Sequence, residues 1–190
     1  MNNNPIVIVY HSGYGHTAKV AEGVAEGSGG FLLAIDAEGN LPTLDGVSGW
    51  DRIAAARTVI FGSPTYMGSV SWQFKKFADA SSKPWFTQVW KDKLAAGFTN
   101  SSALNGDKLS TLHYLFTLSQ QHSMIWVSAG MMPSNAKKHT RDDINNLGGY
   151  SGLLTATPSD ASTHEMVPGD LATAHQFGKR VKDVTARFQG

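Results

Sequence analysis

Cysteine is absent from all 190 residues of the chain. Its absence excludes disulfides, iron–sulfur clusters, zinc sites with thiolate ligands, and cysteine nucleophiles. Any redox chemistry must therefore come from a bound organic cofactor.

An excess of charge of either sign is also lacking. The chain has 16 lysines and arginines against 15 aspartates and glutamates, and no run of five or six like charges. This balance gives no electrostatic footprint for nucleic acid or for an anionic membrane. The seven histidines show no His-x-x-x-His spacing, so we expect no metal site.

Long apolar runs are missing as well. No apolar stretch approaches the roughly 20 residues of a membrane span, and the first residues lack the basic and apolar regions of a secretory signal. We therefore expect a cytoplasmic protein. The length suits a single domain over residues 1–190.

Five short apolar runs predict strands that are buried on both faces. They span residues 5–11, 31–36, 57–62, 94–100 and 124–129. Segments with helical spacing follow most of them, and the clearest is the stripe Phe177, Val181, Val184 and Phe188. Strands that alternate with helices predict a parallel α/β sheet with right-handed crossovers. Five such units fit a flavodoxin-like three-layer sandwich with strand order 2-1-3-4-5, whose ligands bind beyond the carboxyl ends of the strands.

One connection is too long for a minimal fold of this kind. Roughly forty residues, 130–168, separate the last predicted strand from the last helix, where loops of about 2–6 residues are usual. The segment contains Gly148, Gly149, Tyr150 and Gly152 and shows little periodicity. We interpret this insertion as an ordered flap near the site or at a subunit contact.

The loop after the first predicted strand has the composition of an anion site. It consists of Ser12, Gly13, Tyr14, Gly15, His16 and Thr17, and it opens a helix. Backbone N–H groups, the helix dipole and two hydroxyls would favour a phosphate. The same residues match G-x-G-x-x-A, and Asp36 ends the next strand as in a dinucleotide fingerprint. On this loop alone, a dinucleotide site and a turn without a ligand both remain open.

The loop after the third predicted strand favours a flavin. It consists of Pro64, Thr65, Tyr66, Met67 and Gly68. An isoalloxazine needs apolar cover for its planar face, which an aromatic and a sulfur side chain supply. Tyr66 and Met67 could instead be ordinary surface-turn residues.

The loop after the fourth predicted strand would close the other side of the same crevice. Its residues are Thr99, Asn100, Ser101, Ser102, Ala103 and Leu104, most of them small and polar. Three such loops at three strand ends favour one planar, phosphorylated ligand.

These motifs together carry a family resemblance. The combination of Ser12-x-Tyr14-Gly15-His16-Thr17, Pro64-Thr65-x-x-Gly68, Phe98-Thr99-x-Ser101 and His122 resembles the tryptophan-repressor-binding-protein (WrbA) family of flavodoxin-like NAD(P)H:quinone oxidoreductases. The resemblance implies FMN, NADH or NADPH as co-substrate, a quinone-like acceptor, and a homo-oligomer, dimer or tetramer, with active sites near subunit contacts.

The resemblance also implies roles for individual residues. Residues 12–17 would hold the phosphate, residues 65–67 the isoalloxazine edge, and residues 99–104 the polar rim of the ring, with Pro64 and Gly68 also among the cofactor-binding residues. His122 would lie beside the flavin as the catalytic proton donor, and Tyr14 and Trp85 would contact the nicotinamide nucleotide. The third loop departs from the glycine-rich sequence of the family, because Ser102, Ala103 and Leu104 stand there.

The predicted reaction is a two-electron transfer from NAD(P)H to a quinone-like acceptor by a ping-pong mechanism. Two alternatives are a flavodoxin-type one-electron carrier and an interaction module without flavin. Carrier flavodoxins are typically strongly acidic, whereas this chain has a formal net charge of +1. The charge therefore favours the enzyme.

Overall fold

A parallel sheet forms the centre of the fold in the computed structural model, which describes residues 5–188. The strands are β1 (Ile6–Tyr10), β2 (Phe31–Ala34), β3 (Thr43–Leu44), β4 (Val47–Ser48), β5 (Thr58–Tyr66), β6 (Ser69–Val70), β7 (Leu94–Ser101), β8 (Ile125–Trp126) and β9 (Leu153–Ala156). The order of the main strands is β2-β1-β5-β7-β8, and their pairings are parallel. This confirms the flavodoxin-like order predicted from the sequence.

Helices cover the sheet on both faces. They are α1 (His16–Ser28), α2 (Gly49–Ala55), α3 (Trp72–Ala80), α4 (Ser82–Phe86), α5 (Lys108–Gln121) and α6 (Pro168–Arg187), with a 3-10 turn at Thr163–Glu165. Local signals set several starts: the Ser71 hydroxyl accepts the N–H of Phe74 at the start of α3, and Pro168 occupies the first turn of α6. No helix within residues 5–188 is long and apolar enough to cross a membrane.

Each face of the sheet has its own apolar core. Ile6 and Ile8 of β1 pack with α1 and α6, while Val7 and Val9 of the same strand pack on the other face with residues of α3 and α5. Successive side chains of a strand point to opposite faces, so a strand covered on both sides must be apolar throughout. This explains why the first predicted strand reads as a continuous apolar run.

The fifth strand differs from the prediction. Only Ile125–Trp126 of the predicted 124–129 run pairs with β7, opposite Leu94–Ala95. The position beside the carboxyl half of β7 is filled by β9, which pairs with Phe98–Ser101 and comes from the predicted insertion. Val127 and Ala129 are buried in the core although they lie outside the strand, and burial rather than pairing gave the run its apolar character.

Helices α1 and α6 approach each other closely through glycines. A Cβ atom added to Gly27 would lie 2.0 Å from the carbonyl oxygen of His175, and one added to Gly178 would lie 2.2 Å from that of Val24. Only a residue without a side chain allows this separation. The contact fixes α1, and with it the loop that precedes α1, against the rest of the fold.

Candidate functional site

The three predicted loops meet at one cleft at the carboxyl edge of the sheet. The lining residues are Tyr14, His16, Thr17, Pro64, Thr65, Tyr66, Asn100, Ser101, Ser102, Thr157 and Ser159. The structure thus brings together members of every loop singled out from the sequence. The predicted residues that lie in these loops without lining the cleft are Ser12, Gly13, Gly15, Met67, Gly68, Thr99, Ala103 and Leu104.

The first loop ends in an uncapped helix start. Gly15 is the N-cap residue of α1, with φ of 89°, and no side chain caps the first turn. The first N–H groups of the helix therefore keep their hydrogen-bonding capacity and the positive end of the dipole. Ser12 Oγ is enclosed and has no hydrogen-bond partner among residues 5–188, and the Thr17 side chain is buried against the cleft. This donor set fits a phosphate.

His16 ties the first loop to the segment that follows β9. Its Nε2 lies 2.7 Å from the carbonyl oxygen of Ala161, and the side chain is buried. A Cβ atom on Gly15 would lie 3.1 Å from Thr163 Cγ2 in the same segment. One ring nitrogen of His16 is thus engaged within the protein, so the histidine positions the loop.

The second loop is a tight hairpin between β5 and β6. Thr65 pairs with Val70 and Tyr66 with Ser69, and the two turn residues, Met67 and Gly68, have φ of 48° and 76°. Two positive φ angles are typical of the hairpin turn that favours glycine. Met67 at its tip is fully exposed and does not line the cleft, and its predicted role of covering the ring stays a prediction.

Tyr66 and Tyr14 form the aromatic wall of the cleft. Their ring centroids are 6.3 Å apart with an edge-on orientation. A Cβ atom on Gly13 would lie 2.6 Å from Tyr66 Oη, so glycine at this position leaves room for the tyrosine ring. Tyr14 remains largely exposed at the mouth of the cleft.

Hydroxyl groups join the second and third loops beneath the cleft. Thr65 Oγ1 lies 2.8 Å from both Thr99 Oγ1 and Thr111 Oγ1. Asn100 Oδ1 accepts hydrogen bonds from the hydroxyls of Thr155 and Thr157. These bonds make the floor of the cleft rigid, and the hydroxyl of the fully buried Thr99 is used within the protein.

The fourth side of the cleft was not predicted from the sequence. Thr157 and Ser159 line it, and they belong to the segment after β9. The Thr157 N–H donates to the Ser101 carbonyl, which extends the pairing of β9 with β7 into the site. The only available signal was the polar stretch of residues 155–163 within the long insertion, which we had interpreted as a flap near the site.

His122 lies far from this cleft. It caps the carboxyl end of α5, whose first residue, Lys108, lies beside the third loop. The helix has 14 residues, and at 1.5 Å per residue it carries the chain about 20 Å, back to the amino edge of the sheet. The predicted role of His122 beside a flavin therefore stays a prediction, and within one chain His122 lies at the opposite edge of the sheet from the three loops. Trp85 in α4 precedes β7 and also lies at the amino edge, apart from Tyr14.

The surroundings of His122 are those of a buried structural residue. The ring stacks on Trp90 with 4.1 Å between centroids, and Nε2 lies 2.8 Å from Ser81 Oγ. The Ser81 hydroxyl donates to the Ala78 carbonyl, so Nε2–H is the donor toward Ser81 and the neutral Nδ1 has no partner within residues 5–188. A second proton would be buried without an acceptor. This burial lowers the pKa of His122 to about 4.

The lowered pKa of His122 makes the folded protein sensitive to acid. Between pH 6.5 and 4 the unfolded chain binds a proton at His122 that the folded chain does not, so folding stability falls as the pH falls through this window. A shift from 6.5 to about 4 corresponds to about 3 kcal/mol. We expect His122→Phe to remove this part of the loss, as measured by urea unfolding at pH 7 and pH 4. His113→Gln, at an exposed position of α5, is the control, and equal pH dependence in all three proteins would contradict the assignment.

No group of three or more histidines, aspartates or glutamates within residues 5–188 is arranged to hold a metal ion. The donors at the cleft are hydroxyls, amides and backbone groups. They suit an organic, phosphorylated ligand.

Comparison with known proteins agrees with this geometry. A family described as NADPH-dependent FMN reductase matches residues 15–139. Flavodoxin FldP of Pseudomonas aeruginosa is 51% identical over 175 residues, covering 92% of this chain and 93% of that protein. An NAD(P)H dehydrogenase (quinone) of Syntrophobacter fumaroxidans is 28% identical over 208 residues, covering 96% and 98%. A crystal structure of a WrbA-like flavodoxin from Agrobacterium tumefaciens is 49% identical, with a TM-score of 0.78 over 97% of this chain and 98% of that one.

Proposed function

Because this chain belongs to the NADPH-dependent FMN reductase family and is similar to its WrbA-like flavodoxins, we propose that it is an FMN-dependent oxidoreductase. In the proposed reaction, two electrons pass from NADH or NADPH to a quinone-like acceptor in a ping-pong mechanism. The observation that carries the proposal is the cleft itself, where the uncapped start of α1 and the aromatic wall of Tyr14 and Tyr66 meet, with the unpartnered Ser12 hydroxyl in the same loop.

The phosphate end of the proposed site is the first loop. Backbone N–H groups of the first turn of α1 and the hydroxyls of Ser12 and Thr17 would bind the FMN phosphate. Phosphates at helix starts are stabilised by both the orphan donors and the helix dipole. No Gly-Lys-Ser/Thr sequence follows this loop, so a nucleoside triphosphate is not the expected ligand.

The ring end of the proposed site lies between the second and third loops. Tyr66 and Tyr14 would cover the isoalloxazine, and the polar groups of Asn100, Ser101 and Ser102 would face its heteroatoms. Bound FMN would supply the hydride chemistry, and the protein would supply orientation and electrostatics. The open mouth beside the exposed Tyr14 would admit the nicotinamide nucleotide and the acceptor in turn.

Trp85 and Tyr14 are separated in one chain, so a shared role for them requires a second subunit. We propose a homo-oligomer, dimer or tetramer, in which the amino edge of one chain adjoins the cleft of another. Two exposed aromatic side chains of α4, Trp85 and Phe86, support an interface there. A monomeric mass from light scattering would remove this part of the proposal.

A one-electron carrier remains the second candidate. It is favoured by one observation, the 51% identity to a protein named flavodoxin. A carrier needs the same FMN site but does not need to accept hydride from a nicotinamide nucleotide. Reduction by NADH or NADPH therefore separates the two functions.

The proposed function predicts two binding and reduction results. Titration of the purified protein should show tighter binding of FMN than of FAD, because the first loop fits one phosphate.

Anaerobic addition of NADH or NADPH should bleach the flavin spectrum, and benzoquinone should then restore it. Failure of both flavins to bind would overturn the flavin site, whereas FMN binding without reduction by either nucleotide would favour the carrier.

A further inference from the structure

Lys108 is a buried cation directly behind the third loop. It is the first residue of α5, and its side chain is 1% exposed. The ammonium donates three hydrogen bonds: to Ser101 Oγ at 2.8 Å, to the Ala103 carbonyl at 2.7 Å and to the Leu104 carbonyl at 2.7 Å. All three acceptors belong to the third loop or to the strand end that leads into it.

The charge of Lys108 is not neutralised by an ion pair within residues 5–188. The nearby carboxylate of Asp170 is bound to Arg141, with 2.7 Å between Nη2 and Oδ2, and also accepts the N–H of Ala156. Burial lowers the pKa of Lys108 to about 8; Asp170 raises it and Arg141 lowers it, but both effects are smaller. Burying a charge without a counterion is costly, and here three hydrogen bonds to the loop rather than a carboxylate offset that cost.

The hydrogen bonds of Lys108 also orient the loop. In a trans peptide the C=O and N–H groups point in opposite directions. With the carbonyls of Ala103 and Leu104 directed at the ammonium, the N–H groups of Leu104 and Asn105 point away from it. Neither of these N–H groups donates to another residue of the described chain. Ser101 accepts one of the three hydrogen bonds and also lines the cleft. Only the Ser101 side chain therefore stands between the ammonium and the cleft.

We propose that Lys108 is a positioning residue that makes the cleft prefer reduced FMN over oxidised FMN. Fully reduced isoalloxazine carries a negative charge near neutral pH, whereas the oxidised ring is neutral. A cation held behind the polar rim stabilises the charged form selectively. The inference rests on the proposed FMN site and adds a determinant of its redox potential, in a loop where serine, alanine and leucine replace glycines.

The test compares the midpoint potential of bound FMN and the dissociation constant of oxidised FMN in wild type and variants. Removal of the charge in Lys108→Met is expected to lower the preference for reduced over oxidised FMN at least tenfold, which for a two-electron couple is a shift of about 30 mV to more negative potential. Lys108→Gln keeps a donor without the charge and is expected to shift in the same direction. Lys108→Arg keeps the charge and is expected to retain most of the preference.

Lys93 offers a matched control at the opposite edge of the sheet. Its side chain is half-buried, burial lowers its pKa as it does that of Lys108, and its ammonium donates to the carbonyls of Ala54 and Ala56. Lys93→Met therefore removes a similar cation without touching the cleft, and it should leave the potential unchanged. Circular dichroism and thermal unfolding establish which variants are folded, and if the Met variant is not, the Gln and Arg variants decide the question.

Two results would overturn the role of Lys108. Equal potentials in wild type and the Met and Gln variants would show that the charge has no effect on the flavin, and an equal shift in Lys93→Met would show a general effect of net charge. If Lys108→Gln keeps the wild-type preference for reduced FMN while Lys108→Met loses it, the electrostatic part of the proposal is overturned. A neutral amide donor would then be enough to produce the preference. Wild-type protein that binds no FMN would instead contradict the proposed function on which the inference rests.

Discussion

Replacing Ser12 and Thr17 together by alanine is expected to weaken FMN binding about a hundredfold. Each hydroxyl would donate to a charged phosphate oxygen, and such a hydrogen bond contributes roughly 1.5–3 kcal/mol. At 1.4 kcal/mol per factor of ten, each truncation costs about tenfold or more. Equilibrium titration monitored by quenching of flavin fluorescence measures the loss directly.

Ser12→Ala alone should not destabilise the protein in the absence of FMN. Ser12 Oγ is enclosed without a partner among residues 5–188, so removing it takes away an unsatisfied polar group rather than a bond. A matched control removes two exposed hydroxyls from α5, in Ser110→Ala with Thr117→Ala, and should bind FMN as wild type does. Unchanged affinity in the Ser12 and Thr17 variant would mean that the phosphate binds elsewhere.

Gly27→Ala is expected to lower the free energy of unfolding by about 2–3 kcal/mol, because overpacking costs typically 1–3 kcal/mol or more. The added Cβ atom would lie 2.0 Å from the carbonyl oxygen of His175, so α1 and α6 would have to separate. The better helix propensity of alanine offsets only about 1 kcal/mol of this cost. Thermal unfolding should show a decrease in Tm of roughly 5–10 °C for a chain of this size.

Gly23 provides the control for this prediction, one turn earlier on the same helix. A Cβ atom there would lie 3.2 Å from the Cβ atom of Ala174 and 3.5 Å from the nearest backbone oxygen, contacts that small shifts accommodate. Gly23→Ala should therefore change stability little. If both variants have the stability of wild type, the close approach of the two helices is not as the structure has it.

Much of the site could be predicted because its signals are local. The change from an apolar run to glycines and hydroxyls at residues 11–17 marks a strand end and a helix start within one short segment. The same holds for residues 64–68, where Gly68 marks a turn. Parallel strands end at a common edge, so the fold class alone brings these loops together.

The parts that could not be predicted depend on distant contacts. Thr157 enters the cleft only because β9 pairs with β7, some 55 residues earlier in the chain, and no local pattern indicates that pairing. The apolar run at 124–129 could indicate either a paired strand or a buried segment without strand pairing, because both favour the same apolar residue types. His122 was assigned from resemblance, whereas the length of α5 determines which edge of the sheet it occupies in one chain.

The division of the fifth strand into β8 and β9 has a consequence for the order of folding. The pairings among β1, β2, β5 and β7 require only residues up to 101, whereas the side of the cleft formed by Thr157 and Ser159 waits for β9 to close a loop from Asn100 to Thr155. Contacts of such sequence separation form slowly, because chain entropy is lost before the contact compensates for it. On a ribosome, β1, β2, β5 and β7 would be translated well before the final wall of the cleft, and that wall arrives just ahead of α6, the helix that covers one face of the sheet. Competence to bind a cofactor would therefore come only with the last part of the chain.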